Sequence, residues 1–292
     1  MREISAYRDM VDRSLESQLL RIHSIPEKLQ EAMLYSYLAE GKRLRPVLLL
    51  ASCEAGGRDP EEAIPYACAL EMIHAYSLIH DDLPCMDDDD ERRGRPTNHV
   101  VYGAGMATLA GDALLNSAAE LMLLEAVERQ DFRGAEAAHA ILHRSGAAGM
   151  IKGQVYDITL EGQPVTEKNV MRIHMHKTAD LIMAGMEAGM LLSGHRADEM
   201  AISALEYGRH LGLAFQQMDD LLDVIGDEKK LGKKTGMDAV MGKQTWVSLR
   251  GIEQTKKDIK QVTDKAIYNA AGMGESGQFF VDFALRLLNR QS

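Results

Sequence analysis

The sequence predicts an all-α fold, and three observations predict it. Apolar residues recur along the chain at the three- and four-residue spacing of helix faces. The densest apolar run, residues 60–83, lacks the strict alternation of a half-buried strand. The 292 residues are 46% hydrophobic, enough to bury one large core, and no linker divides them, so residues 1–292 are expected to form a single domain.

Composition narrows the function. Lys and Arg number 33 against 44 Asp and Glu, a net charge of -11, which argues against nucleic acid or an anionic membrane surface as the main partner. Cys53, Cys68 and Cys85 are odd in number and form no C-x-x-C pair, so neither a disulfide framework nor a zinc site is expected. Residues 1–20 mix charges with apolar side chains and read as neither signal peptide nor transmembrane span. With no other stretch long and apolar enough to cross a bilayer, a soluble, cytoplasmic protein is expected.

Residues 6–23 form a first amphipathic helix, broken around 24–26, and 27–40 a second. Next comes Gly41-Lys42-Arg43-Leu44-Arg45-Pro46, ahead of an apolar run. Proline is tolerated in a first helical turn, so this basic group marks a helix start. Lys42 and Arg45, three apart, share a face where the helix dipole disfavours positive charge. An anion would resolve that mismatch; a solvated turn or a local ion pair would do equally well.

The helix over 60–83 runs into Asp81-Asp82-Leu83-Pro84-Cys85-Met86-Asp87-Asp88-Asp89-Asp90-Glu91. Pro84 biases Leu83 away from helical geometry, so the helix stops there and Asp87 reaches back from a loop. Without that break, residues six apart would point to different sides of the helix. Such a run of carboxylates is either a solvated acidic loop or a site for a hard cation such as Mg²⁺, which takes oxygen ligands and keeps water. A second cluster favours the cation. Gln216-Gln217-Met218-Asp219-Asp220-Leu221-Leu222-Asp223 also ends an apolar helical run, and its Asp219 and Asp223 share a face.

Arg92, Arg93 and Arg95 follow the first cluster, either neutralising it or converging with it on one polyanion, for which guanidinium is well suited. Long helices are expected over 103–130 and 135–158, the latter carrying Gln154 and Asp157. The spacings Gly185/Gly189 and Gly208/Gly212 suggest close helix packing. His174 and His176, two apart, face different ways, which excludes a zinc pair and leaves packing or polar contacts. Lys177 and Thr178 follow on the same helix. Beyond Asp223, glycine-spaced lysines including Lys233 and Lys243 read as an ordinary solvated loop or a lid over phosphate.

Taken together, these motifs resemble the trans-isoprenyl diphosphate synthase family, bacterial farnesyl diphosphate synthases in particular, over about residues 30–250. The first aspartate motif matches Asp81, Asp82 and Asp87 in its longer form, and the second matches Asp219, Asp220 and Asp223. The resemblance implies an all-α barrel of roughly ten or more helices around a central cavity, usually a homodimer, the isoprenoid synthase fold. It implies two to three Mg²⁺ ions held by Asp81, Asp82, Asp87, Asp219 and Asp223, with Asp220 and Lys177 also catalytic. Arg92, Lys177, Thr178, Gln216, Lys233 and Lys243 would bind the allylic diphosphate. Lys42, Arg45, His74 and Arg93 would bind isopentenyl diphosphate. The implied reaction joins the two, lengthening an allylic chain by five carbons.

In this family a bulky residue five positions before the first aspartate, here Tyr76, limits the product to C15. Helical geometry places Ser77 more directly under Asp81, with Tyr76 about 100° round the helix. Farnesyl diphosphate synthase is therefore the reading, with geranylgeranyl diphosphate synthase, which shares the motifs, as the alternative. A non-catalytic partner subunit of a heteromeric prenyl synthase would be expected to have lost an aspartate motif or its arginines. Glu40, where the family often has glycine, and Trp246-Val247, where Tyr-Pro is common, depart from the pattern.

Overall fold

The computed structural model describes residues 1–226 and 243–288, so the predicted contact of Lys233 lies outside the described residues. The fold is all-α. Helices α1 (Ile4–Leu19), α2 (Glu27–Tyr37), α3 (Leu44–Ala55) and α4 (Ile64–Asp81) lead to the first aspartate motif. A short α5 (Asn98–Tyr102), the long α6 (Ala104–Glu128), α7 (Phe132–Ser145) and α8 (Met150–Thr159) follow. Then come α9 (Glu167–Ile173), α10 (Asp180–Ser193) and α11 (Glu199–Ile225), which carries the second motif. After the undescribed segment the chain continues as α12 (Trp246–Arg250), α13 (Ile252–Ala270) and α14 (Gly277–Leu288).

The core forms because the apolar faces of α4 and α6, α3 and α10, and α11 and α13 pack in pairs. Tyr7, Leu15, Tyr37, Leu48, Leu70 and Tyr207 are among its fully buried members. Two glycine pairs allow close approaches between helices. A Cβ on Gly189 would lie 2.5 Å from the Leu49 carbonyl oxygen, and one on Gly212 would lie 2.5 Å from the Ala179 Cα. No helix among the described residues is long and apolar enough to cross a membrane.

Three features differ from the sequence expectation. The helix expected over 135–158 is two helices, interrupted at residues 146–149, where a Cβ on Gly149 would fall 1.9 Å from the Arg144 carbonyl oxygen. A six-residue π-helical turn, His174–Ala179, separates α9 from α10. A two-stranded hairpin, β1 (Glu91–Arg92) with β2 (Arg95–Pro96), follows the first aspartate motif. Its two turn residues, Arg93 and Gly94, both have positive φ, as a type I′ turn requires.

Candidate active site

The α4 helix ends as Pro84 dictates. Asp82 is its C-cap, and the chain turns so that the Asp87 amide donates to the Asp81 carbonyl at 2.9 Å. The loop thus brings Asp87 back beside Asp81. Burial, with Asp87 adding its charge, pushes the Asp81 carboxyl from 3.8 up to about 6, while Lys177 opposes the rise. Gln154 of α8 donates to Asp81, and Lys243 Nζ lies 3.0 Å from Asp87 Oδ1.

Adjacent arginines serve opposite directions because the hairpin turns between them. Arg92 Nε reaches both Asp82 oxygens, at 2.7 and 2.9 Å, while Arg93 Nη1 donates 2.7 Å to the Glu40 carbonyl. Arg92 therefore faces the aspartates and Arg93 faces the basic segment before α3.

In the π-turn, Lys177 Nζ lies 2.5 Å from Asp157 Oδ2. Although burial alone would lower it, Asp157 and Asp81 hold the Lys177 ammonium above its ordinary range. The neighbouring Thr178 hydroxyl donates to Gln216 Oε1 at 2.6 Å, and Gln216 Nε2 donates to Asp220 Oδ1 at 3.1 Å. A hydrogen-bonded path therefore runs from the residue next to Lys177 to the second motif on α11. A π-turn widens the helix by one residue per turn, a distortion that recurs at functional sites.

The middle aspartate of each motif is deeply placed. Asp82 and Asp220 are each 3% exposed and spend their oxygens on protein partners. Asp82 is committed to Arg92. Asp220 Oδ2 lies 3.1 Å from His174 Nε2 and accepts from the Trp246 amide at 2.6 Å. Despite its burial, the contacts with His174 hold the Asp220 carboxyl below the usual range. Asp219 is half-buried and Asp223 buried.

The basic residues also converge. Arg45 Nη1 approaches His74 Nε2 at 3.3 Å, and Asp219 and Arg93 both act on Arg45 electrostatically, while Lys42 is exposed. Burial, with Arg93 adding to it, lowers the Arg45 guanidinium to about 10, and burial and Arg45 hold the His74 imidazole well below its ordinary value. Arg45 Nε is buried with no hydrogen-bond partner among the described residues. A buried guanidinium nitrogen without a protein partner is a group that an anion could satisfy.

Below Asp81 on α4, Ser77 turns its hydroxyl to the His74 carbonyl at 2.9 Å. Tyr76 is buried, its ring edge-on to His80 at 5.6 Å and its hydroxyl without a partner among the described residues. Burial and Asp81 push the Tyr76 phenol up to about 12.

Asp81, Asp87, Asp219 and Asp223 offer hard oxygen donors. Among the described residues no three His, Cys, Asp or Glu side chains close into a metal cage. Carboxylate oxygens are the donors Mg²⁺ takes, with water and substrate phosphate completing its shell, so the donor set fits it. Surface clefts of about 690 Å³ beside Arg2 and Met10 and about 460 Å³ beside Phe132 and His139 contain none of these residues.

Sequence reasoning missed the partners Glu71, Arg43 and the pairing of His174 with Asp220. Of these, only Glu71 left a local signal, a charge inside an apolar helix.

Residues 26–276 match the polyprenyl synthetase family. The chain belongs to that family. It is 42% identical over 262 residues to the farnesyl diphosphate synthase of Geobacillus stearothermophilus, covering 88% of this chain and 86% of that one. To the geranylgeranyl diphosphate synthase of Cyanophora paradoxa it is 43% identical over 242 residues, 82% and 80% of the two chains. The geranyltransferase of Helicobacter pylori, solved with magnesium and isoprenyl diphosphate, superposes with a TM-score of 0.83 at 32% identity, covering 98% of this chain and 96% of that one. This member of the family is thus a prenyltransferase of isoprenoid biosynthesis. Its relatives divide between farnesyl and geranylgeranyl products, so kinship fixes the class of reaction and leaves the product length to the site itself.

Proposed function

We propose that this polyprenyl synthetase condenses isopentenyl diphosphate with dimethylallyl and then geranyl diphosphate, giving trans-farnesyl diphosphate and diphosphate. Breaking the allylic C–O bond leaves negative charge on the departing diphosphate. Lys177, Arg92 and Lys243 stand beside the first motif to neutralise it, and pre-placed charge of this kind is the main lever on such a barrier. Two to three Mg²⁺ ions, held by Asp81, Asp87, Asp219 and Asp223, would add electrostatic stabilisation of that diphosphate. Asp82 and Asp220 act through their protein partners, fixing Arg92 and the start of α12.

The basic cluster of Lys42, Arg45, His74 and Arg93 holds the second diphosphate, so the isopentenyl double bond can attack the allylic carbon. Loss of a proton to the released diphosphate completes a chain five carbons longer. The apolar surroundings exclude water from the cation.

Tyr76 is the observation that carries the C15 limit. Its ring is buried one turn and a half below Asp81 and braced against His80, whereas the Ser77 hydroxyl is already satisfied by its own helix. A geranylgeranyl diphosphate synthase would need that space open. Tyr76→Ala should shift the product to C20 or longer; an unchanged C15 product would remove Tyr76 as the floor. Retention of both aspartate motifs and their arginines disfavours a non-catalytic subunit.

We also propose a homodimer. Leu109, Leu123 and Val127 are 56, 51 and 73% exposed along one face of α6, an apolar stripe that a second copy would cover.

A further inference from the structure

Arg43 sits between the two basic residues assigned to isopentenyl diphosphate, yet its side chain goes elsewhere. Its φ of 49° and ψ of 34° are left-handed, a conformation that costs a non-glycine residue on the order of 1–2 kcal/mol and persists only where the surroundings over-determine it. The surroundings do so here. The guanidinium is 6% exposed, and all three nitrogens are used: Nε to Asp12 Oδ1 at 2.9 Å, Nη1 to Glu71 Oε1 at 2.8 Å, and Nη2 to the Ala39 carbonyl at 2.8 Å. Those acceptors come from α1, from α4 and from the residues just after α2, so Arg43 ties the segment before α3 to three separate parts of the fold.

Glu71 is the buried half of this arrangement, at 3% exposure inside the apolar run of α4. It lies three residues before His74, on the same helix face. Its charge is felt by Arg45 and Arg93 as well as by Arg43. One carboxylate therefore offsets a group of guanidiniums that would otherwise repel one another before an anion arrives.

We propose that Arg43, backed by Glu71 and Asp12, is a positioning residue for the homoallylic diphosphate: it locks the left-handed turn that aims Lys42 and Arg45 at one anion without touching that anion itself. The inference rests on the assignment of the basic cluster to isopentenyl diphosphate. Lys42 and Arg45 are separated by a left-handed turn rather than by a continuous helix, so the direction of Lys42 relative to Arg45 depends on the backbone at Arg43. A guanidinium with three fixed acceptors holds that backbone more tightly than the intrinsic preference of any residue could.

The test is steady-state kinetics with each substrate varied separately, on Arg43→Gly, Asp12→Asn and Arg45→Ala. Glycine accepts positive φ without cost, so Arg43→Gly leaves the turn permitted but untethered. It should raise KM for isopentenyl diphosphate by about tenfold or more, about 1.4 kcal/mol, while kcat and KM for the allylic diphosphate stay within about threefold. Asp12→Asn, at a partly exposed residue that leaves the Arg43–Glu71 pair in place, should give a smaller rise of the same selective kind even if Arg43→Gly folds poorly. A purely structural lesion would lower the melting temperature and affect both substrates alike, and that result, or unchanged kinetics in both variants, would overturn the inference while Arg45→Ala still raised KM for isopentenyl diphosphate. If Arg45→Ala leaves that KM unchanged, the assignment of the cluster fails and this inference with it.

Discussion

Replacing Asp81 with Asn should make the metal-free protein more stable at neutral pH while weakening its response to Mg²⁺. Burial, with Asp87 and Asp82 adding to it against Lys177 and Arg92, raises the Asp81 carboxyl from 3.8 to about 6. The folded chain then holds this proton more tightly than the unfolded chain. The stability that protonation confers is present at acid pH and is lost as pH rises from about 4 through about 6, above which the full cost of the charge stands. At 1.36 kcal/mol for each pKa unit that cost approaches ~3 kcal/mol. Asp81 keeps some contact with water, which reduces it to about 1–2 kcal/mol.

Asparagine strands no buried partner. Its amide oxygen still accepts from Gln154, and Lys177 keeps Asp157. Urea unfolding in chelator at pH 8 and pH 5 reads the difference. Asp81→Asn should exceed the parent by about 1–2 kcal/mol at pH 8 and by less at pH 5. Mg²⁺ with inorganic diphosphate should raise the melting temperature of the parent by more than that of the variant, because a ligand stabilises a fold in proportion to how tightly it binds it. A variant no more stable than the parent at pH 8, or one that responds equally to Mg²⁺ and diphosphate, would refute the reasoning.

Two further predictions test the frame and the basic cluster. Gly189→Ala places a methyl 2.5 Å from the Leu49 carbonyl oxygen and 2.6 Å from the Ser52 Cβ. Overpacking of this kind should cost about 2 kcal/mol in denaturant unfolding, and a loss below about 0.5 kcal/mol would show that α3 and α10 yield freely. Burial and Arg45 depress His74, so the unfolded chain takes up a proton first and His74 contributes stability present above about 6.5 and lost as pH falls below it. His74→Gln should flatten that acid-side loss, and an unchanged stability profile between pH 7 and 5 would contradict the assignment.

How much of this was legible in the sequence differs by residue. Pro84 announced the end of α4, and the return of Asp87 to Asp81 followed from that break alone. The aspartate spacing on α11 and the glycine pairs of α10 and α11 were equally readable, since each depends on a local period. The break between α7 and α8 was not, because apolar residues continue across Gly146 and Gly149 and periodicity carried the helix through. The π-turn has no local signature; its side chains are held by distant partners, Lys177 by Asp157 of α8 and both Thr178 and His174 by α11.

The role of Glu71 is not legible from its own segment because its partner, Arg43, is 28 residues away. The same reason hid the role of Trp246. Where the family often has tyrosine, its indole donates to Asp258 at 2.9 Å while its amide caps Asp220, so the departure from the pattern is accommodated by a partner of its own.

Product sizing tests the central claim most directly. The purified protein would be incubated with Mg²⁺, labelled isopentenyl diphosphate and, in separate tubes, dimethylallyl, geranyl or farnesyl diphosphate. The account predicts a C15 product from the first two starters and none beyond it from the third. A C20 product would move the assignment to geranylgeranyl diphosphate, and absence of any product would contradict the account of this chain as a working synthase.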